Sequence, residues 1–171
     1  LFINLRPVRL YDEALSPLKD VRPEDVDMVI FRENTEGPYV GMGGNFKKGT
    51  PDEIAIEEDV NTRKGVERIV RAAFEYARAA GMPRVTLADK ANAMQYVGGL
   101  WRRVFAEVGA EYPDIEREAM YVDALALDLI RRPARNRPTG TARLSFAWRC
   151  ARTYRLNTVM SRSTPSDATA R

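Results

Sequence analysis

The stretch NTRKGVERIVRAAFEYARAAGMP at residues 61–83, followed by RVTLAD at 84–89, decides the fold class. The apolar positions of its first part recur at the i, i+3, i+4, i+7 spacing of an amphipathic helix. They are Val66, Ile69, Val70, Ala73, Phe74 and Ala77. Asn61 or Thr62 can cap the start of this helix, and Gly81 can end it. The stretch therefore predicts a helix followed by a strand.

Further strands and helices flank this pair. Residues 26–31, VDMVIF, are nearly all apolar, which is typical of a strand covered on both faces. Residues 53–60 alternate weakly and predict a solvated strand or arm. We expect a second helix at 99–110, a strand at 115–122 and a third helix after Asp123. The inward positions of the second helix are Leu100, Val104, Phe105 and Val108. This alternation favours an α/β fold.

The composition excludes several classes of site. A chain of 171 residues with 44% hydrophobic and 30% charged residues can form one domain with a buried core. No apolar run approaches the roughly 18–20 residues of a membrane span, and the first residues do not resemble a signal peptide, so we expect a cytoplasmic protein. With one cysteine, Cys150, and no histidine, the chain has no disulfide framework, Cys/His zinc site or His-dependent triad of its own. Catalysis would therefore use Lys, Tyr and carboxylates.

Charge divides the chain near residue 134. Residues 135–171 contain eight arginines and one acid, Asp167, whereas residues 1–134 carry 19 basic and 23 acidic side chains. We predict that residues 1–134 form the folded domain. Residues 135–171 are expected to form a poorly ordered tail, because their scattered apolar residues can bury little surface. A nucleic-acid-binding tail is the alternative, since arginines at this density suit phosphate contacts; we expect no nucleic-acid or membrane partner.

Two segments carry side chains that suit anion binding. Residues 4–9, NLRPVR, contain Arg6, whose planar guanidinium group can bind a carboxylate or phosphate. The strand at 26–31 is followed by RENTEGPYVG, in which Arg32 can also bind an anion. The phenol of Tyr39 can act as an acid once a neighbouring cation assists it. Surface arginines and a structural tyrosine are the alternatives.

Two further candidates follow the later predicted strands. Lys90 lies among apolar neighbours, where desolvation favours the neutral, basic form of an amine. A salt bridge to Asp89 is the alternative. Asp123 lies at a strand-to-helix junction, where a carboxylate can bind Mg²⁺ or cap the helix. Residues 41–44, GMGG, lack the strand-to-helix context of a dinucleotide fingerprint, so we do not assign them that role.

Four segments of the chain together resemble one family: LRPVRLY, RENTEGPYVG, DKAN and YVDALALDLIRRP. That family is the metal-dependent β-decarboxylating dehydrogenases, which include 3-isopropylmalate and isocitrate dehydrogenases. The resemblance covers about residues 1–134. Three other stretches are most similar to the isopropylmalate branch of leucine biosynthesis: GTPDEIA, NTRKGVERIV and GGLWRRVF. The resemblance implies the central domain of that fold, which carries much of the substrate site and the dimer interface.

The resemblance also implies an activity. Members of the family oxidise a 2-hydroxy acid with NAD or NADP, remove a carboxylate as carbon dioxide and protonate the resulting enolate. Mg²⁺ or Mn²⁺ acts as the Lewis acid. By their positions in the motifs, Arg6 and Arg32 would bind substrate carboxylates and Tyr39 would help to protonate the enolate. We expect NAD as the cofactor.

The remaining motif positions imply a shared active site. Lys90 would take the proton from the substrate hydroxyl, and Asn92 would line the substrate and nicotinamide sites. Asp123 would be a metal ligand. In this family the lysine and the aspartate reach into the active site of the other subunit, which implies a homodimer.

The resemblance stops where the Arg-rich tail begins. The family continues there with an apolar strand and a pair of metal-binding aspartates, and a change of reading frame in the gene is one explanation for the tail. We therefore expect this chain alone to have no useful turnover. Alternatives are a relative acting on isocitrate, homoisocitrate, tartrate or malate, or a non-catalytic dimerisation module.

Overall fold

The computed structural model describes residues 1–132 and 141–145, which form a five-stranded sheet, a hairpin and three α-helices. The strands are β1 (Ile3–Arg9), β2 (Asp27–Glu33), β3 (Gly43–Phe46), β4 (Ile54–Glu57), β5 (Arg84–Asp89), β6 (Glu116–Tyr121) and β7 (Thr141–Ser145). The helices are α1 (Arg63–Ala79), α2 (Gln95–Gly109) and α3 (Val122–Arg131). The predicted α/β fold class is confirmed.

The topology of the large sheet brings several strand ends to one edge. Its strand order is β1-β2-β7-β5-β6. β1 is antiparallel to β2, and the other pairings are parallel. The carboxyl ends of β2, β5 and β6 therefore lie along the same edge of the sheet. The first residues of β1 lie there too, with Ile3 opposite Glu33.

Helices α1 and α2 form the main core with the sheet. The hydroxyl of Thr62 accepts a hydrogen bond from the backbone N–H of Gly65 at 2.9 Å, which caps α1 as predicted. All six predicted inward residues of α1 are buried. The ring of Phe74 stacks on that of Tyr112, with centroids 5.0 Å apart. Burial of this apolar face is the main reason for the stability of the helix layer.

Helix α2 differs from its prediction at its start. It begins at Gln95, four residues before the predicted bound, because Gly98 packs directly against Ala91. Trp101 is fully buried and its indole N–H donates to the side chain of Asn61 at 3.0 Å, whereas the predicted Leu100 is only half-buried. The helix therefore packs on the sheet through a larger side chain than the pattern indicated.

β5 has its predicted bounds, the remaining predicted elements hold with shifted bounds, and two strands within residues 1–132 were missed. The strand predicted at 26–31 is β2, and those predicted at 53–60 and 115–122 shorten to β4 and β6. The third helix begins at Val122, so Asp123 lies inside its first turn. β1 and β3 were not predicted. β1 contains a proline, which an edge strand tolerates because one side of it needs no hydrogen bonds.

Five residues of the Arg-rich segment form β7, between β2 and β5. This differs from the poor order expected for that stretch. The prediction for the rest of 135–171, including a nucleic-acid-binding role, lies outside the described residues. Within residues 1–132 and 141–145, no helix is long and apolar enough to cross a membrane.

Candidate active site

The candidate residues lie at the edge where the parallel strands end. Arg6 is on β1 and Arg32 on β2, and Tyr39 lies in the short 3-10 turn Pro38–Val40 that follows β2. Lys90 and Asn92 follow β5, and Asp123 follows β6. Open α/β sheets bind their ligands outside the carboxyl ends of their strands. The fold therefore puts five of the candidates at this edge, while Arg6 lies farther along β1, opposite Ile30. The six form two groups.

The first group is cationic. The guanidinium carbon of Arg32 lies 4.7 Å from the centre of the Tyr39 ring, a cation–π contact. Partial burial lowers the pKa of Arg32 from its ordinary value, and the nearby charge of Arg6 lowers it further. Arg6 donates from Nε to the side-chain oxygen of Asn4 at 3.0 Å. Among the described residues neither arginine forms a salt bridge. Two adjacent, unneutralised guanidinium groups favour the binding of an anion.

The second group joins Lys90 to Asp123. The ammonium of Lys90 forms a salt bridge with the carboxylate of Asp123. Only 15% of the Lys90 side chain is exposed, compared with 60% of the Asp123 side chain. Asp123 does not cap its helix, because the N-cap position is Tyr121 and no side-chain cap bond is present there. The two residues that the motifs predict to act together are thus in contact. Asn92 lies exposed in the adjoining turn.

Two buried carboxylates were missed as site residues. Glu33 ends β2 and Asp89 ends β5, and both are 1% exposed. An arginine from the next helix binds each of them: Arg68 contacts Glu33 at 3.1 Å and Arg102 contacts Asp89 at 2.6 Å. The sequence carried one signal, an acid at the last position of an apolar strand, but not which arginine would bind it.

Residues 41–44 lead into a hairpin rather than from a strand into a helix. Gly43 begins β3, and a Cβ atom there would lie 2.2 Å from the backbone oxygen of Ile56 on β4. The glycine is therefore required by close strand pairing. The segment is therefore not the strand-to-helix turn of a dinucleotide loop.

The described residues do not form a metal centre by themselves. Residues 1–132 and 141–145 contain no group of three His, Cys, Asp or Glu side chains arranged to hold a metal ion. Asp123 supplies one carboxylate, and the ammonium of Lys90 occupies it. A divalent cation needs several oxygen ligands, so this chain's described residues alone do not fit it.

Comparison with known proteins identifies the class. The chain matches the family model described as isocitrate/isopropylmalate dehydrogenase over residues 1–139, and it belongs to that family. Among its relatives, the 3-isopropylmalate dehydrogenase of Thermobifida fusca is 52% identical over 134 residues, and that of Corynebacterium glutamicum is 45% identical over 133. Both alignments cover 78% of this chain and 38% of the relative. The predicted family resemblance is confirmed.

Solved structures agree on the fold. The isocitrate dehydrogenase of Methylococcus capsulatus is 35% identical, with a TM-score of 0.71 over 85% of this chain and 40% of that one. The TT0538 protein of Thermus thermophilus is 36% identical with the same TM-score, over 85% of this chain and 27% of that one. The chain thus spans less than half the length of each of these four proteins. The roles of the individual site residues stay predictions.

Proposed function

We propose that this chain is the central portion of an NAD-dependent 3-isopropylmalate dehydrogenase of leucine biosynthesis, working in the cytoplasm as a homodimer. The main support is the geometry of a chain that is 52% identical to such an enzyme. This chain has both the Arg32–Tyr39 contact and the Lys90–Asp123 pair at one edge of the sheet. The reaction is the oxidation of a 2-hydroxy acid followed by loss of a carboxylate as carbon dioxide.

The cationic group would bind the substrate. Arg6 and Arg32 present two positive charges that suit the two carboxylates of a malate-type acid. The contact with Arg32 holds the Tyr39 ring while the side chain stays 45% exposed. Its hydroxyl is therefore accessible to donate a proton to a bound enolate.

The Lys90–Asp123 pair would serve the partner's site. To act as a base, Lys90 would first have to give up its contact with Asp123 and release a proton from its ammonium to solvent. The neutral amine could then take the proton of the substrate hydroxyl. Asp123 would supply one carboxylate to a divalent cation, whose further oxygen ligands the described residues do not provide. The other metal ligands and most of the nicotinamide site, apart from Asn92, would come from outside the described residues of this chain. This supports a composite site formed by two subunits.

A mixed dimer tests the proposal. The 171-residue chain is co-expressed with intact Thermobifida fusca 3-isopropylmalate dehydrogenase in which methionine replaces the residue aligned with Lys90. Neither chain should turn over substrate alone. In the mixed dimer this chain's Lys90 restores the intact subunit's site, and NADH formation from 3-isopropylmalate, NAD and Mn²⁺ should rise by about 100-fold or more, as for a restored general base.

The matched control is the same mixed dimer with the Lys90→Met chain, which should stay inactive. Purified mixed dimers whose rate does not exceed that control would contradict the proposal, as would near-normal turnover by this chain alone. A higher rate with isocitrate than with 3-isopropylmalate would assign the chain to the isocitrate branch instead.

A further inference from the structure

The guanidinium group of Arg102 lies between the ends of β5 and β6, immediately beside the segments that carry Lys90 and Asp123. We infer that Arg102 is a positioning residue that holds these two side chains together for their role in the shared active site. The role in the shared active site rests on the proposed function, whereas the contacts that Arg102 makes do not depend on it.

The first contact fixes the turn after β5. Arg102 donates from Nε to Asp89 Oδ2 at 2.6 Å and from a terminal nitrogen to Oδ1 at 3.2 Å, a two-point contact. The same Oδ1 accepts the backbone N–H of Ala91 at 2.9 Å. Because the Asp89 side chain is fully buried, its orientation is constrained on all sides. The backbone on both sides of Lys90 is therefore tied to one carboxylate.

The second contact fixes the end of β6. The guanidinium carbon of Arg102 lies 4.8 Å from the centre of the Tyr121 ring. Tyr121 is the N-cap residue of α3, whose first turn carries Asp123. One side chain thus contacts the residue before Lys90 and the residue two positions before Asp123. The hydrogen bond to Asp89 also raises the pKa of Arg102, so its charge is permanent.

Close packing supports the same turn. A Cβ atom at Gly98 would lie 2.5 Å from the Cα atom of Ala91, so α2 touches the backbone next to Lys90. Arg102 lies one helical turn further along α2. Helix α2 therefore holds the turn at two points, through the close packing of Gly98 on Ala91 and through the ion pair of Arg102 with Asp89.

The chain contains a matched ion pair that does not reach Lys90. Arg68 on α1 binds the buried carboxylate of Glu33, which also accepts the backbone N–H groups of Asn34 and Thr35 at 3.0 and 2.9 Å. This pair has the same chemistry and a similarly buried acid at the end of β2. Loss of Arg68 should cost comparable stability without disturbing Lys90.

The test is competitive labelling of lysine amines in the full chain with trace acetic anhydride, read by mass spectrometry. The exposed Lys48 serves as internal standard. We expect Lys90 to react more slowly than Lys48. In Arg102→Met, Lys90 labelling should rise about tenfold relative to Lys48, equivalent to ~1.4 kcal/mol of lost positioning. In Arg68→Met the ratio should not change.

Arg102→Lys keeps a charge for Asp89 but loses the two-point contact and the flat contact with Tyr121, so it should give an intermediate ratio. The Arg102→Lys variant replaces Arg102→Met in the experiment if circular dichroism shows that Arg102→Met does not fold. Equal Lys90 labelling in the wild type and Arg102→Lys, or an equal rise in Arg68→Met, would overturn the inference.

The mixed-dimer assay separates this inference from the proposed function. Arg102→Met in this chain should lower kcat several-fold and leave KM for 3-isopropylmalate unchanged, since Lys90 acts on the hydroxyl and not in carboxylate binding. A raised KM with unchanged kcat would overturn it. If the wild-type chain fails to restore activity while labelling still responds to Arg102, the proposed function fails and the positioning stands.

Discussion

Strands β2 and β5 each end in a buried carboxylate that binds an arginine from the next helix, yet the residues around them have different electrostatics. Beside β2, the charges of Arg6 and Arg32 lie close together, and within the described residues no acid forms a salt bridge with them. Beside β5, the charge of Lys90 is matched by Asp123.

This difference in charge balance suits the ends of β2 and β5 to two different tasks. The end of β2 already has the positive charge that a dicarboxylate requires, so it needs little rearrangement to bind one. The end of β5 holds Lys90, our proposed base, which is engaged by Asp123 and would have to exchange partners before it acts. We expect the first region to respond to substrate in this chain alone and the second to require the other subunit.

The largest effect should come from removing the carboxylates that both ends share. Asp89→Ala and Glu33→Ala should each lower the free energy of unfolding by ~3 kcal/mol, because the paired arginine and the turn N–H groups lose their acceptor. Urea denaturation followed by circular dichroism measures this. Asp52→Ala, which removes an exposed ion pair with Lys47, should change stability little. If either buried variant matches Asp52→Ala, that strand end is not held by its ion pair.

Alanine substitutions at two glycines should distinguish the end of β2 from the end of β5. At Gly98 a Cβ atom would overlap the backbone of Ala91, whereas at Gly65 it would meet the end of the Glu36 side chain, whose carboxylate accepts two hydrogen bonds from Thr62. Gly98→Ala should therefore cost about 2 kcal/mol through overpacking. In Gly65→Ala, the gain of about 1 kcal/mol in helix propensity should offset the displaced Glu36. Denaturation midpoints compare the two, and a smaller loss for Gly98→Ala would show that the turn beside Lys90 can move freely.

The sequence predicted the α/β order and the elements whose pattern is local. α1 and β5 were predictable because apolar periodicity and capping residues lie within each segment. Residue chemistry at the strand ends supplied most of the candidate site residues, and motif resemblance supplied Asn92 and the individual roles. The binding of Asp89 by Arg102 was not predictable, since it joins residues from separate elements. Trp101 lies inside the predicted helix, at the i, i+3, i+4, i+7 spacing with Val104, Phe105 and Val108, but the prediction placed Leu100 on the inward face instead.

Substrate binding should distinguish the end of β2 from the end of β5. If the end of β2 is preformed, saturating 3-isopropylmalate should stabilise this chain by ~1 kcal/mol, or raise its melting temperature by about 2–4 °C. Arg32→Met should abolish that rise. Lys90→Met should retain it, since that residue lies at the other end. A rise that depends on Lys90 and not on Arg32 would reverse our assignment of the two regions.

The smallest effect tests the like charges on β1 and β2. Arg6 lies diagonally across from Arg32, whereas Arg9 lies opposite Asp27 and its Nε is 3.1 Å from that carboxylate. Methionine keeps most of the apolar stem but removes the charge. Arg6→Met should therefore stabilise the chain by ~0.3 kcal/mol through lost repulsion, and Arg9→Met should destabilise it by a similar ~0.3 kcal/mol.

Salt should distinguish these small changes from packing effects. Both should shrink between 0.02 and 0.5 M NaCl, roughly, because exposed charges are screened over a shorter distance. Urea denaturation at the two concentrations measures this. Should Arg6→Met destabilise the chain at low salt, the hydrogen bond from Arg6 to Asn4 would outweigh the repulsion, and the end of β2 would not store the unfavourable charge that we expect a bound dicarboxylate to relieve.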